Sequence, residues 1–173
     1  MKKKRQSVIL IPVPEAEEAV STLRNIYDPG APKGIPAHIT LLFPFINPLE
    51  ITLEQIEKLR NILNIEKFSF ALSKIKTFPG VVYLEPTERE KFISLTKKIY
   101  SAFPDYPPSE GKFLPDIIPH LTIGHELGER FDKCLLEAKS IESRLPIEAI
   151  AKEAFLMISE NGEWTVREKF TLL

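Results

Sequence analysis

The sequence predicts an α+β fold. Three observations carry that reading: strands and helices are interspersed without a regular βα alternation, the chain ends in an antiparallel hairpin, and one loop-strand-helix unit occurs twice. The hairpin is the sharpest of the three. Residues 154–160 and 163–170 read as strands joined by Asn161-Gly162, the favoured pair for a tight turn with positive φ.

In chain order, residues 8–13 form an apolar run of strand length, and Pro14 then opens a helix to about residue 27. Ala16, Ala19, Val20, Leu23 and Ile26 mark one face of that helix. Residues 28–36, with three prolines and two glycines, are a loop, and 37–45 are extended. Thr52 with Gln55 is a capping-box pattern that starts a helix over 53–63. Strands over 68–78 and 81–85 flank Pro79-Gly80. Thr87 with Glu90 repeats the capping pattern, and Phe92, Leu95, Ile99 and Phe103 give the helix that follows its spacing. Residues 104–118, with four prolines and a glycine, form a second long loop. An extended run over 119–125 and a helix over 129–143 complete the chain before the hairpin.

At 173 residues and 19.7 kDa, with 43% hydrophobic and 27% charged residues, the chain fits a single domain spanning 1–173. A net charge of -1 and a pI near 6.3 disfavour an extended nucleic-acid surface, which needs clustered Lys and Arg. The four cations before Ser7 faintly imitate a leader, but the apolar run is short and Glu15, Glu17 and Glu18 follow at once. Lys2 to Arg5 therefore read as a solvated tail. No apolar stretch approaches the roughly 18 residues that a membrane span requires. The single cysteine, Cys134, lies in a helical pattern as a small apolar filler. These features predict a cytoplasmic protein.

Two of the three histidines head a copy of one motif, His38-Ile-Thr40-Leu and His120-Leu-Thr122-Ile. Chance would produce that on the order of 1 in 1,000 times. In a strand, His38 and Thr40 share one face while Ile39, Leu41 and Phe43 take the other. His120 and Thr122 likewise oppose Leu121 and Ile123, and His125 falls on the face away from His120. Each motif so offers an imidazole beside a hydroxyl. One imidazole can act as base and the other as acid, while the threonine hydroxyls donate to phosphoryl oxygens. No Gly-rich phosphate loop is present, and neither cysteine nor acidic residues stand at metal-ligand spacing near the motifs. The reading therefore requires no metal and no cofactor.

These motifs resemble the two-histidine (2H) phosphoesterase superfamily, which includes RNA 2′,5′-ligases and 2′,3′-cyclic phosphodiesterases. Tyr27-Asp-Pro29, Ile35 to His38, Glu85 to Glu88 and Glu160 to Val166 are similar to an uncharacterised bacterial branch of it. The resemblance implies a pseudo-symmetric fold of two interleaved lobes, with antiparallel sheets lining a central groove, helices outside, and one motif per lobe (38–41 and 120–123). It implies catalysis by His38 and His120 with phosphate binding by Thr40 and Thr122. The simplest activity is metal-independent hydrolysis of a 2′,3′-cyclic phosphate on a small nucleotide or RNA terminus. The alternatives are RNA 2′,5′-ligation and a non-catalytic module that holds a phosphorylated ligand. Many members place an arginine two residues after the first threonine, where this chain has Leu42, and others near His125. Further candidate substrate contacts are Phe43, with Phe45 beside it, for stacking a base, and Tyr83, Lys33, Lys112 and Arg167 for phosphate.

Overall fold

The computed structural model describes residues 5–112 and 114–173. The tail reading for Lys2, Lys3 and Lys4 lies outside them. The first strand, β1 (Gln6–Pro12), leads through a 3-10 turn begun by Pro14 into α1 (Glu17–Tyr27), and β2 (His38–Leu42) follows the proline-rich loop. Strand β2 is shorter than predicted because Pro44 brings no N–H to a ladder. Next come α2 (Leu53–Ile62), β3 (Phe68–Phe78), β4 (Val81–Pro86), α3 (Arg89–Ala102) and β5 (Leu121–His125). The last third holds α4 (Glu129–Ala138), β6 (Ile147–Ala151), β7 (Glu153–Glu160) and β8 (Glu163–Thr171).

Local chemistry accounts for most of these boundaries. Thr52 accepts from the Gln55 amide while the Gln55 side chain accepts from the Thr52 amide, so the predicted capping box starts α2. The second predicted box does not form. Thr87 is committed to β3 instead, its hydroxyl accepting from the Ala71 amide and its own amide donating to the Ala71 carbonyl, and α3 starts after Glu88. The helix expected to reach 143 tightens at Lys139 into a 3-10 segment. The turn at Asn161-Gly162 has positive φ at both residues, 55° and 90°, as the β7–β8 hairpin requires. Strand β6 was not foreseen; it pairs along β3 from Leu72–Ile147 to Phe68–Ala151.

The eight strands form one antiparallel sheet in the order β6-β3-β4-β5-β2-β1-β7-β8. Four strands from the middle of the chain (β3 to β6) make one half, and the two ends (β1, β2, β7, β8) make the other. Among the described residues only Ile39 and Leu121 are paired across the join. A continuous core covers one face: Ile9, Ile11, Ile39, Leu41, Leu84, Leu121 and Ile123 from the strands meet Val20, Leu59, Phe92, Ile99 and Cys134 from the four helices. Burial pushes the Cys134 thiol up to about 11, as fits a packing role. Among the described residues none of α1 to α4 joins the small apolar cluster on the other face, which is made of Val8, Leu10, Phe155 and Met157, flanked by Ile35, Phe43 and Trp164.

Candidate active site

The first motif sits where β2 meets the loop before it, and α1 fixes that loop. Arg24, 2% exposed, donates Nε and Nη2 to Asp28 Oδ2 at 3.2 and 2.8 Å, and Nη2 also reaches the Ile35 carbonyl at 3.4 Å. Glu17 accepts from the Ala37 amide at 2.6 Å. Gly34 has φ 99° and lies so close to β8 that a Cβ there would stand 2.8 Å from the Trp164 carbonyl oxygen. The loop is thereby held at both flanks, and it presents the Pro36 carbonyl to His38. His38 Nδ1 lies 2.7 Å from that oxygen, and because a carbonyl only accepts, Nδ1 carries the proton. Nε2 is left as the lone-pair nitrogen, 3.1 Å from the Thr40 hydroxyl.

His120 stands one residue before β5 and has the same anchor, with Nδ1 2.6 Å from the Ile118 carbonyl. Its surroundings differ. The rings of Phe78 and Tyr83 meet it edge to face at centroid distances of 5.1 and 5.5 Å. Among the described residues no bond matching that of His38 and Thr40 links His120 to Thr122. One imidazole is thus set mainly by hydrogen bonds and the other by aromatic packing.

The Ile39–Leu121 pair brings the motifs together. Antiparallel register about that pair sets His38 opposite Thr122 and Thr40 opposite His120, so the four side chains share the face opposite the continuous core. Burial lowers the His38 pKa to about 4, with the Arg24 and His120 charges adding to the effect and the Pro36 carbonyl and Asp28 opposing it. Burial also lowers His120, assisted by the His125 charge and opposed by the Ile118 carbonyl. Both rings are therefore neutral in the free protein near pH 7. Each motif offers a lone-pair Nε2 and a hydroxyl toward one groove.

Sequence alternation alone missed one device. In both motif strands the register slips at the fourth motif residue: Ile9 pairs with Leu42 and Leu10 with Thr40, leaving Leu41 extra, while Val82 pairs with Gly124 and Tyr83 with Thr122, leaving Ile123 extra. Leu41 and Leu42 are both in the core, as are Ile123 and Gly124, whose added Cβ would meet Cys134 Sγ and Tyr27 Cβ. The next residue in each strand is thereby turned back to the groove. Phe43, expected on the face away from His38, joins the groove-side cluster and meets Trp164 edge to face at 6.3 Å. His125, expected opposite His120, returns to its side. Leu42 is fully buried, so its position faces away from the groove.

The remaining predicted contacts divide. Tyr83 lies against His120, whereas Phe45 is core, packed on Phe103 and Tyr106. Lys33 is exposed in the turn Ala31–Lys33, Lys112 is exposed and pairs with Glu110 at 3.1 Å, and Arg167 is the extra, exposed residue of a bulge in β8. None of these three touches either motif histidine among the described residues. Among those residues no group of three His, Cys, Asp or Glu side chains is arranged to hold a metal, and no helix is long and apolar enough to cross a membrane. A cavity of about 840 Å³ on the outer helices, lined by Asn61, Glu90, Ser94 and Lys98 among others, contains no motif residue.

Known proteins share this architecture. The E. coli protein LigT in its apo form matches with a TM-score of 0.60 at 19% identity, over 98% of this chain and 99% of that one. LigT complexed with 3′-AMP matches at 0.59 and 17%, over the same shares. A Thermus thermophilus protein matches at 0.60 and 18%, over 96% and 97%. In sequence, a putative phosphoesterase of Bacillus pumilus is 27% identical over 97% of both chains, and one of Bacillus licheniformis is 24% identical over 97% of this chain and 98% of the other. The family description "2'-5' RNA ligase superfamily" matches residues 12–163, a span that takes in both His-x-Thr motifs and strands β2 to β7. The chain therefore belongs to the 2′-5′ RNA ligase superfamily, the two-histidine phosphoesterases.

Proposed function

We propose that this phosphoesterase hydrolyses a 2′,3′-cyclic phosphate at a nucleotide or RNA end, with His38 as general base and His120 as general acid. The observation that carries the reading is the pairing of two His-Thr motifs across one strand junction, each with Nδ1 tied to a carbonyl so that Nε2 is the lone-pair nitrogen, which in His38 accepts from Thr40 until a phosphate takes over that hydroxyl. His38 suits the base because burial and Arg24 keep it neutral down to about pH 4. His120 takes up a proton when the phosphodiester anion binds beside it. A water gives its proton to His38 Nε2 and attacks phosphorus. The bond from phosphorus to one ribose oxygen breaks, and that oxygen receives the His120 proton, leaving a phosphomonoester. Thr40 and Thr122 donate to the non-bridging oxygens, where negative charge builds. LigT binds 3′-AMP in one of the solved structures, a phosphomonoester of the class this reaction yields.

His38→Ala and His120→Ala should each lower turnover of a 2′,3′-cyclic nucleotide by about 100- to 10,000-fold. EDTA should leave the rate unchanged. Wild-type protein that binds the cyclic phosphate without turning it over would instead support a phosphate-binding module.

A further inference from the structure

The groove is chemically lopsided. On the β1–β7–β8 side its floor is the apolar cluster with Phe43 and Trp164, and Lys169 there lies over the Phe155 ring at 5.0 Å. On the β5–β4–β3 side the floor is polar and charged. Thr122 pairs with Tyr83, and Tyr83 pairs with Lys76, so these three form a row on one face of the sheet. Glu85, two residues along from Tyr83, shares that face and is only 9% exposed. One of its oxygens, Oε1, takes both Lys76 Nζ at 2.9 Å and Arg89 Nη1 at 3.5 Å, while Lys74 stands directly opposite on β3.

A nearly buried carboxylate holding two cations by one oxygen is a clamp. It fixes an ammonium and a guanidinium side by side, each about half exposed, with spare N–H donors, and Lys74 adds to a net positive charge. We propose that Lys76 and Arg89, clamped by Glu85, form a second anion subsite for a non-reacting phosphate of the substrate, about two strand spacings or ~10 Å from the motif threonine. This rests on the phosphodiesterase reading and narrows it: the substrate carries a phosphate besides the one being cleaved, as in a 5′-phosphorylated nucleotide or oligonucleotide end. Its base would then stack toward the Phe43 and Trp164 rings.

The test uses two unreactive probes, a nucleoside 3′,5′-bisphosphate and the matching 3′-monophosphate, titrated calorimetrically into wild type and into Lys76→Ala/Arg89→Ala. Wild type should bind the bisphosphate at least tenfold more tightly, and the double variant should bind both alike. Equal binding by wild type, or a preference that survives in the variant, overturns the subsite. Turnover of a 2′,3′-cyclic nucleotide with and without a 5′-phosphate is the companion measurement. The double variant should lose about tenfold or more in kcat/KM on the phosphorylated form and keep its rate on the other. A preserved bisphosphate preference without turnover of either form would overturn the reaction and leave the subsite standing.

Discussion

Arg24 shows how a charge outside the groove acts on a motif histidine. Its guanidinium is buried against Asp28 and the Ile35 carbonyl, so it fixes the loop that carries Pro36, and its charge helps hold His38 low. Arg24→Met leaves the Asp28 carboxylate uncompensated beside His38, the proposed base. The variant should lose about 3–5 kcal/mol of stability, and the acidic limb of its kcat/KM profile should move up from near pH 4 toward 6.5. Removing Asp28 as well, in Arg24→Met/Asp28→Asn, should bring the limb down again. A purely structural Arg24 would lower stability in both variants and leave the limb in place. The motif residues themselves were legible in the sequence, because a repeated His-x-Thr needs no tertiary context to be seen. This buttress was not, since a lone Arg in an amphipathic helix reads as a solvated residue.

The bulges are the decisive features among the elements. A strict two-residue period sends Phe43 and His125 away from the face of the motif histidines; one extra residue in each motif strand returns both. Bulges depend on register with a neighbour, which one strand's sequence does not encode, so the fold class and motif strands were predictable and this detail was not. Thr87 failed as a predicted cap for a related reason, since the Ala71 amide of β3 competed for its hydroxyl and won. Strand β6 escaped notice because a five-residue run after a proline carries too short a pattern. Gly124 tests the second bulge. A Cβ there would come within 2.5 Å of Cys134 Sγ and 2.8 Å of Tyr27 Cβ, so α1 and α4 close on β5 only because that position is bare. Gly124→Ala should cost about 1–3 kcal/mol by denaturant unfolding and lower activity by shifting Thr122. Adding Cys134→Ala should recover part of the stability.

For the molecule as a whole, two imidazoles held below their ordinary pKa tie folding to pH. Unfolded, each binds a proton near pH 6.5; folded, His38 does so only near 4, and His120 also below its ordinary value. Their contribution to stability is complete above pH 6.5 and drains away as pH falls toward 4. The melting temperature should therefore drop between pH 7 and 5, and His38→Gln/His120→Gln should flatten that slope. A bound phosphomonoester should flatten it too, because its charge favours the imidazolium. Among the described residues the two halves of the sheet meet at the Ile39–Leu121 pair alone, between the two motifs proposed to bind the phosphoryl group. On the proposed reading, a ligand held by Thr40 on one bank and Thr122 on the other would act as a rivet across that narrow join. In amide hydrogen exchange, Ile39 and Leu121 should gain the most protection when phosphate binds. On that reading the proposed site would also fasten together the two halves of the sheet.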